Sequence, residues 1–313
     1  MTLAFVFPGQ GSQSVGMLNA LAAEFPVVKE TFAEASQTLG KDLWQLVEQG
    51  PEEKLNQTEI TQPVMLAAGV ATWRAWLAAS GPCPQYMAGH SLGEYSALVC
   101  SEALDFAEAM KLVADRGRFM QQAVPVGQGA MAAILGMEDD AVRKLCEQAA
   151  QGEVLEAVNF NSPGQVVIAG ATAAVNRAVE QSKAAGAKRA ILLPVSVPSH
   201  CRLMHPAAQQ MAERLKLAQI RKPQIPVLHN THVQAESDPA AIRNALVRQI
   251  ESPVRWVETI QKMAADGVTR IVECGPGKVL TGLNKRIVKT VETFPVFDPE
   301  TLRAAFNAVE KTE

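Results

Sequence analysis

The sequence has few of the residues on which covalent cross-links and metal sites depend. Its five cysteines are scattered and form no Cys-x-x-Cys pair, and its five histidines show no helical spacing suited to zinc. Disulfide frameworks and structural zinc sites both need such clusters. We therefore expect reduced thiols, a cytoplasmic location and no metal site.

The sequence also has no excess of positive charge and no long apolar run. The net charge is −3, so no overall field attracts nucleic acid or an anionic membrane. No apolar run approaches the roughly 20 residues that span a bilayer, and the first residues lack the basic segment of a signal peptide. With 313 residues, of which 48% are hydrophobic, the chain can form one large domain or two unequal ones.

A glycine–serine pattern marks the most informative stretch of the chain. Gly89-x-Ser91-x-Gly93 lies between a short apolar run and a helix-like run. This order is typical of a nucleophile elbow, a sharp turn from strand to helix with the serine at its tip. Ser91 is then a candidate nucleophile, and the backbone amide of Leu92 could stabilise negative charge on an attacked carbonyl. The alternative is a chance match within a loop.

The beginning of the chain predicts a strand, a glycine-rich turn and helices. Residues 3–7 are a nearly unbroken apolar run, as expected of a parallel strand covered on both faces. In the following turn Gln10 could present its amide N–H or its side chain to a ligand, although a plain turn is the simpler reading. A long helix is predicted over 60–76, with Pro63 in its first turn. Strands alternating with helices favour an α/β fold.

Arg116 is the most informative charged residue. The predicted helix over 105–122 carries an apolar stripe, and Arg116 falls within it, between Leu112 and Phe119. A buried arginine is unfavourable unless an anion meets it, and its planar fork suits a carboxylate. Arg116 could therefore bind the carboxylate of a substrate. An internal ion pair with Asp or Glu, or an extension of the side chain to solvent, explains the pattern equally well.

The pattern of elements changes between residues 126 and 195. Predicted strands and helices follow in the order β-α-β-β-α-β, which is that of a ferredoxin-like unit. We expect this segment to be a small domain inserted into a large α/β domain formed by residues 1–125 and 196–313.

His200 is a candidate catalytic base. It is expected just beyond the last strand of the inserted segment, at the seam between the two domains, where clefts often form. The alternative is a polar hinge residue. His90 is expected to point away from Ser91 because the two are neighbours in sequence, and Cys201 is expected to pack in the core.

Six motifs occur along the chain in a definite order: 7–13 (FPGQGSQ), 89–94 (GHSLGE), 116–117 (RG), 159–165 (NFNSPGQ), 197–200 (VPSH) and 273–277 (ECGPG). Together they resemble the malonyl-CoA:acyl carrier protein transacylases of bacterial fatty-acid synthesis. The resemblance covers nearly the full length and implies a hydrolase-like large domain with a parallel sheet, a ferredoxin-like insert and an active site between them.

The resemblance also implies the catalytic roles. Ser91 would be the nucleophile and His200 its base. Gln249 matches the position whose backbone carbonyl holds the histidine. The amides of Gln10 and Leu92 would form the oxyanion hole.

The implied substrates are malonyl-CoA and an acyl carrier protein, whose phosphopantetheine arm supplies the accepting thiol. No cofactor of the enzyme itself is implied, and a monomer is expected. Arg116 would bind the malonyl carboxylate, and the other substrate-binding residues would be Gln10, Asn161 and His90.

Two other functions share parts of this pattern. A thioesterase or esterase would use the same elbow but deliver the acyl group to water. A docking subunit would keep the fold without catalysis, although the presence of Ser91, His200 and Arg116 argues against it.

Overall fold

The structure is a computed structural model that describes residues 2–195 and 197–310. Its strands are β1 (Thr2–Phe7), β2 (Tyr86–Gly89), β3 (Gly129–Leu135), β4 (Leu155–Ser162), β5 (Gln165–Ala171), β6 (Arg189–Leu192), β7 (Val227–Leu228), β8 (Val268–Cys274) and β9 (Glu292–Val296). The first half of the chain contributes helices α1 (Asn19–Glu24), α2 (Val27–Leu39), α3 (Leu43–Gln49), α4 (Glu52–Leu55), α5 (Thr58–Ala78), α6 (Gly93–Cys100) and α7 (Phe106–Ala123). The second half contributes α8 (Asp139–Ala150), α9 (Thr172–Ser182), α10 (His205–Lys216), α11 (Pro239–Ile250), α12 (Trp256–Ala265), α13 (Val279–Ile287) and α14 (Pro299–Glu310).

A five-stranded parallel sheet forms the centre of the larger part of the molecule. Its strand order is β7-β2-β1-β8-β9, and every pairing is parallel. Five of the six residues of β1 are buried, because helices cover both faces of the sheet. Since the strands run in one direction, the turns that follow β1, β2 and β7 meet at one edge, where ligands bind in open α/β sheets.

A separate antiparallel sheet has the order β4-β5-β3-β6 and carries α8 and α9. Its core is a cluster of its own, with Ile134, Val142 and Val175 fully buried. The predicted fold class, α/β with a parallel sheet and a second, ferredoxin-like sheet, is confirmed. We propose that residues 126–195 form the smaller domain, because all four strands and both helices of this sheet lie between them.

The structure corrects two predictions about local elements. Helix α5 begins at Thr58, so Pro63 lies beyond its first turn, inside the helix. The last strand of the inserted segment ends at Leu192, so His200 lies eight residues further along the chain and not directly after a strand.

The last described residues, 292–310, form β9 and α14. β9 pairs with β8 and completes the parallel sheet, while α14 packs against β9. No helix in the described part of the chain is both long and apolar enough to cross a lipid bilayer.

Candidate active site

Ser91 lies at the tip of a tight turn between β2 and α6. Its φ is 51°, in the left-handed region that residues with a side chain rarely adopt. A Cβ on Gly89 would lie 1.8 Å from the carbonyl carbon of Gly93, and one on Gly93 would lie 2.1 Å from Phe7 O. Only hydrogen fits at either position, which is why the turn needs both glycines. The geometry is that of a nucleophile elbow.

The Ser91 hydroxyl is hydrogen-bonded to the imidazole of His200. Ser91 Oγ lies 2.8 Å from His200 Nε2, and His200 Nδ1 lies 2.7 Å from the backbone oxygen of Gln249. A carbonyl oxygen only accepts, so Nδ1 carries the proton and donates to it. Nε2 is then free to accept the proton of Ser91. The histidine is held by a neutral carbonyl rather than by a carboxylate.

The environment of His200 keeps its imidazole neutral. Burial lowers the pKa of His200 to about 3, and the positive charge of Arg116 acts in the same direction. The hydrogen bond to Gln249 opposes this shift without cancelling it. His200 is 2% exposed, and its φ of 67° is also left-handed. At neutral pH the group is therefore present as an unprotonated base.

Arg116 is buried and faces the serine. Its guanidinium donates to Gln62 Oε1 at 2.7 Å, to Gln249 Oε1 at 2.9 Å and to Ser91 Oγ at 3.3 Å. Burial lowers the pKa of Arg116, against the influence of Tyr95 and Glu94. The side chain does not extend to solvent, since it is 1% exposed, and it forms no ion pair with Asp or Glu within the described residues. Both alternatives raised by the sequence are therefore absent. A buried guanidinium with neutral partners is suited to an incoming carboxylate.

Gln10 and Leu92 line the same cavity. Neither backbone amide donates to another group in the described part of the chain, so both are free to donate to a ligand. Leu92 is the residue before α6, where the helix leaves free N–H groups. The turn containing Gln10 lies close to the elbow, since a Cβ on Gly9 would be 2.6 Å from His90 O.

The structure overturns the expected orientation of His90. Its side chain lines the cavity instead of pointing away, and its Nε2 donates to Asn161 Oδ1 at 2.8 Å. Burial lowers the pKa of His90, although the bond to Asn161 opposes that shift. Asn161 thus contacts His90, whereas the residue of β4 that lines the cavity is Asn159.

The cavity has a volume of about 120 Å³. Its wall combines polar groups around Ser91 with apolar side chains, namely Met120, Met131, Leu193, Val195 and Val197. Cys201 takes no part in it, since its thiol is buried, donates to Pro198 O at 3.1 Å and has a pKa raised by burial to about 12. No group of histidine, cysteine or carboxylate side chains that could hold a metal ion occurs among residues 2–195 and 197–310.

A buried polar network that the sequence did not predict lies beneath the elbow. Glu94, on the first turn of α6, accepts hydrogen bonds from His229 Nδ1 at 2.7 Å, the Asn230 amide at 3.0 Å and Gln249 Nε2 at 2.9 Å. Burial raises the pKa of the Glu94 carboxyl, but His229 and these hydrogen bonds outweigh it and hold the pKa below its usual value. The sequence signal that could have indicated this network is the run of polar residues directly after β7, at the carboxyl edge of the sheet.

Comparison with known proteins assigns the family. The family model described as the acyl transferase domain matches residues 4–299. The chain belongs to the acyl transferase domain family. The resemblance inferred from the six sequence motifs is confirmed by this match together with the named relatives that follow.

Named relatives of this acyl transferase are similar over nearly their whole length. It is 60% identical over 309 residues to the malonyl CoA-acyl carrier protein transacylase of Haemophilus influenzae, covering 98% of each chain. It is 58% identical over 302 residues to the protein of the same name from Salmonella typhimurium, covering 96% of this chain and 98% of the other.

Solved structures give the same result for the fold. An acyl carrier protein S-malonyltransferase from Vibrio cholerae superposes with a TM-score of 0.95 at 60% identity, covering 97% of this chain and 99% of the other. A malonyl-transacylase solved in complex with its type II PKS acyl-carrier protein superposes with a TM-score of 0.97 at 55% identity, covering 98% and 100%.

Proposed function

We propose that this protein transfers a malonyl group from malonyl-CoA to the phosphopantetheine thiol of an acyl carrier protein, as an [acyl-carrier-protein] S-malonyltransferase that supplies extender units for fatty-acid synthesis. One observation carries the proposal. Ser91 Oγ contacts both a neutral histidine, at 2.8 Å, and a buried arginine without a carboxylate partner, at 3.3 Å. A serine nucleophile beside an unpaired guanidinium suits an acyl group that ends in a carboxylate. The names of the relatives agree with this function.

The first half-reaction loads the serine. His200 Nε2 accepts the hydroxyl proton as Ser91 Oγ attacks the thioester carbonyl of malonyl-CoA. The oxygen of the tetrahedral intermediate receives hydrogen bonds from the Gln10 and Leu92 amides. The C–S bond then breaks, and the imidazolium returns its proton to the departing CoA thiolate. Malonyl-Ser91 remains.

The second half-reaction repeats these steps in reverse order with a different thiol. The carrier protein's thiol loses its proton to His200 and attacks the ester carbonyl, and Ser91 leaves with that proton. The two substrates use one site in turn, so ping-pong kinetics are expected. All the groups involved come from one chain and need no resident cofactor, so a monomer is sufficient.

Substrate contacts follow from the walls of the cavity. The guanidinium of Arg116 receives the malonyl carboxylate and holds the acyl group with its carbonyl facing the oxyanion amides. The side chains of Gln10 and His90 border the path of the acyl thioester, and Asn161 fixes the ring of His90. Acetyl-CoA leaves the arginine unpaired and is disfavoured for that reason.

The pH dependence of serine acylation tests the state of His200. In the free enzyme this group has a pKa of about 3, against an ordinary 6.5. Because protonation removes the base, kcat/KM for malonyl-CoA falls only as the pH drops through that lowered pKa. We expect kcat/KM to stay constant from pH 7 down to about 5, measured by stopped flow with the fold monitored by circular dichroism. A decline centred near 6.5 would contradict the proposed environment.

The bound substrate should shift the acid limb of the pH profile, which is the pH range over which the rate falls as His200 becomes protonated. A malonyl carboxylate neutralises Arg116 and so removes one of the three causes that lower the His200 pKa, the others being burial and His90. Because kcat reports the enzyme–substrate complex, its acid limb is expected at higher pH than that of kcat/KM. Coincident limbs would mean that the carboxylate does not meet Arg116.

Transfer itself distinguishes the proposal from its rivals. The protein is incubated with malonyl-CoA and a holo acyl carrier protein, and both the carrier and free malonate are measured by mass spectrometry. We expect malonyl-carrier to accumulate with little free malonate. Release of malonate as the main product would identify a thioesterase, and an unchanged carrier and CoA ester would identify a docking subunit.

A further inference from the structure

The backbone of Ser91 is held by side chains from distant parts of the chain. The Ser91 amide donates to Asn230 Oδ1 at 2.7 Å, and Asn230 Nδ2 donates to Gly89 O at 2.7 Å. One side-chain amide therefore bridges the two ends of the Gly89–Ser91 segment. On the other side Gln249 Nε2 donates to Ser91 O at 2.9 Å.

Asn230 is itself fixed in place. Its backbone amide donates to Glu94 Oε2 at 3.0 Å, and its neighbour His229 donates through Nδ1 to Glu94 Oε1 at 2.7 Å. Glu94, His229 and Asn230 are each 0% exposed. A fully buried set of hydrogen bonds holds one geometry, because solvent cannot replace any partner that moves away.

The topology explains why these residues meet. β7 ends at Leu228 and pairs in parallel with β2, which ends at Gly89. The residues that follow the two strands therefore leave the sheet side by side. Asn230 lies two residues after the end of β7, and Ser91 lies two residues after the end of β2. Because the two strands are neighbours, this equal spacing places the Asn230 side chain against the elbow.

The backbone conformation of Ser91 has to be stabilised by contacts of this kind. Ser91 at φ 51° is in a conformation that is unfavourable for a residue with a Cβ and persists only where its surroundings hold it. A relaxed turn would move Ser91 Oγ away from His200 Nε2, which now lies at 2.8 Å. Misplacement of a reacting atom by about 1 Å can slow a reaction by about 10²-fold.

We propose that Asn230, fixed by Glu94, is a positioning residue that holds Ser91 in its left-handed conformation and so aligns the hydroxyl with His200. The inference rests on the proposed function, because it requires Ser91 to be the acylated residue. An asparagine suits the role since its side chain both accepts from the Ser91 amide and donates to Gly89 O. Among the described residues Arg116 donates to Gln62, Ser91 and Gln249 and not to Asn230, so the effect of Asn230 should fall on the acylation step rather than on malonyl binding.

The test compares Asn230→Ala with the wild-type enzyme in a single-turnover measurement of Ser91 malonylation. We expect the rate to fall by about 10²-fold while KM for malonyl-CoA changes by less than about 3-fold. Asn284→Ala is the matched control, because Asn284 is also buried but accepts a hydrogen bond from Trp256 Nε1 and, in the described part of the chain, forms none with Ser91 or His200. This control should acylate at nearly the wild-type rate per folded molecule.

A second variant covers the case in which Asn230→Ala does not fold. Asn230→Asp keeps the oxygen that accepts from the Ser91 amide, but an ionised carboxylate cannot donate to Gly89 O. Its rate should be reduced at pH 7 and should recover relative to wild type as the pH falls, since a protonated carboxyl restores the donor. The charged and titratable groups around this position are Glu94 and His229, Arg255, whose amide donates to Asn230 O, and the His200 and Arg116 side chains at Ser91. All of them are present in both proteins.

The possible results separate the two proposals. The positioning role is supported if the wild type is acylated, both Asn230 variants are acylated slowly, and the variants keep the wild-type KM for malonyl-CoA. Folded Asn230→Ala that acylates at the wild-type rate, or Asn230→Asp without recovery at lower pH, overturns it. Failure of the wild type to become malonylated would overturn the proposed function itself.

Discussion

Replacing His200 with alanine is expected to slow the malonylation of Ser91 by about 10⁴-fold. The Ser91 hydroxyl would lose the base 2.8 Å away that accepts its proton. In a well-studied serine hydrolase, the loss of the equivalent base lowers kcat on the order of 10⁶-fold. A thioester has a better leaving group than an amide, so a smaller loss is reasonable here. Stopped-flow measurement of CoA release gives the rate directly.

His205→Ala is the matched control for this prediction. His205 lies five residues from His200, but its side chain is 58% exposed and pairs with Glu251. Its loss should leave acylation nearly unchanged. A His200→Ala rate within about 10-fold of wild type would show that another group accepts the proton, and the proposed catalytic pair would be wrong.

Replacing Arg116 with alanine is expected to reverse much of the preference for malonyl over acetyl groups. Two charge-assisted hydrogen bonds to the malonyl carboxylate would be lost, each contributing about 1.5–3 kcal/mol. We expect kcat/KM for malonyl-CoA to fall by about 10²–10⁴-fold, because each tenfold change corresponds to about 1.4 kcal/mol. Acetyl-CoA has no carboxylate to lose contact with, so its transfer should rise relative to malonyl transfer.

The ratio of the two substrates is the decisive quantity. Arg116 also donates to Ser91 Oγ, and any disturbance of the serine affects both substrates equally and cancels in the ratio. Arg118→Ala is the control, since this arginine on the same helix is 53% exposed and pairs with Asp115. An unchanged malonyl-to-acetyl ratio in Arg116→Ala would remove Arg116 from substrate binding.

The elbow and the buried arginine could be predicted because both have local sequence signals. Gly89 and Gly93 flank Ser91 at positions where only hydrogen fits, and that steric demand is visible in the sequence itself. Arg116 falls on the apolar stripe of its own helix, so its burial follows from helical periodicity. Neither inference needs knowledge of a distant part of the chain.

The supporting contacts could not be predicted because they join residues far apart in sequence. Asn230 bonds the amide of Ser91, and Gln249 bonds Arg116, across 139 and 133 residues respectively. No periodic pattern reports such a pair before the sheet order is known. The ring of His90 was misplaced for a related reason, since its direction is set by Asn161 across 71 residues rather than by its neighbour Ser91.

The most direct test of the central claim is the intact mass of the protein after brief incubation with malonyl-CoA alone. The account predicts that wild-type protein gains the mass of one malonyl group, that peptide mapping places it on Ser91, and that Ser91→Ala gains nothing. A wild-type protein that stays unmodified, or an adduct that persists in Ser91→Ala, would contradict it.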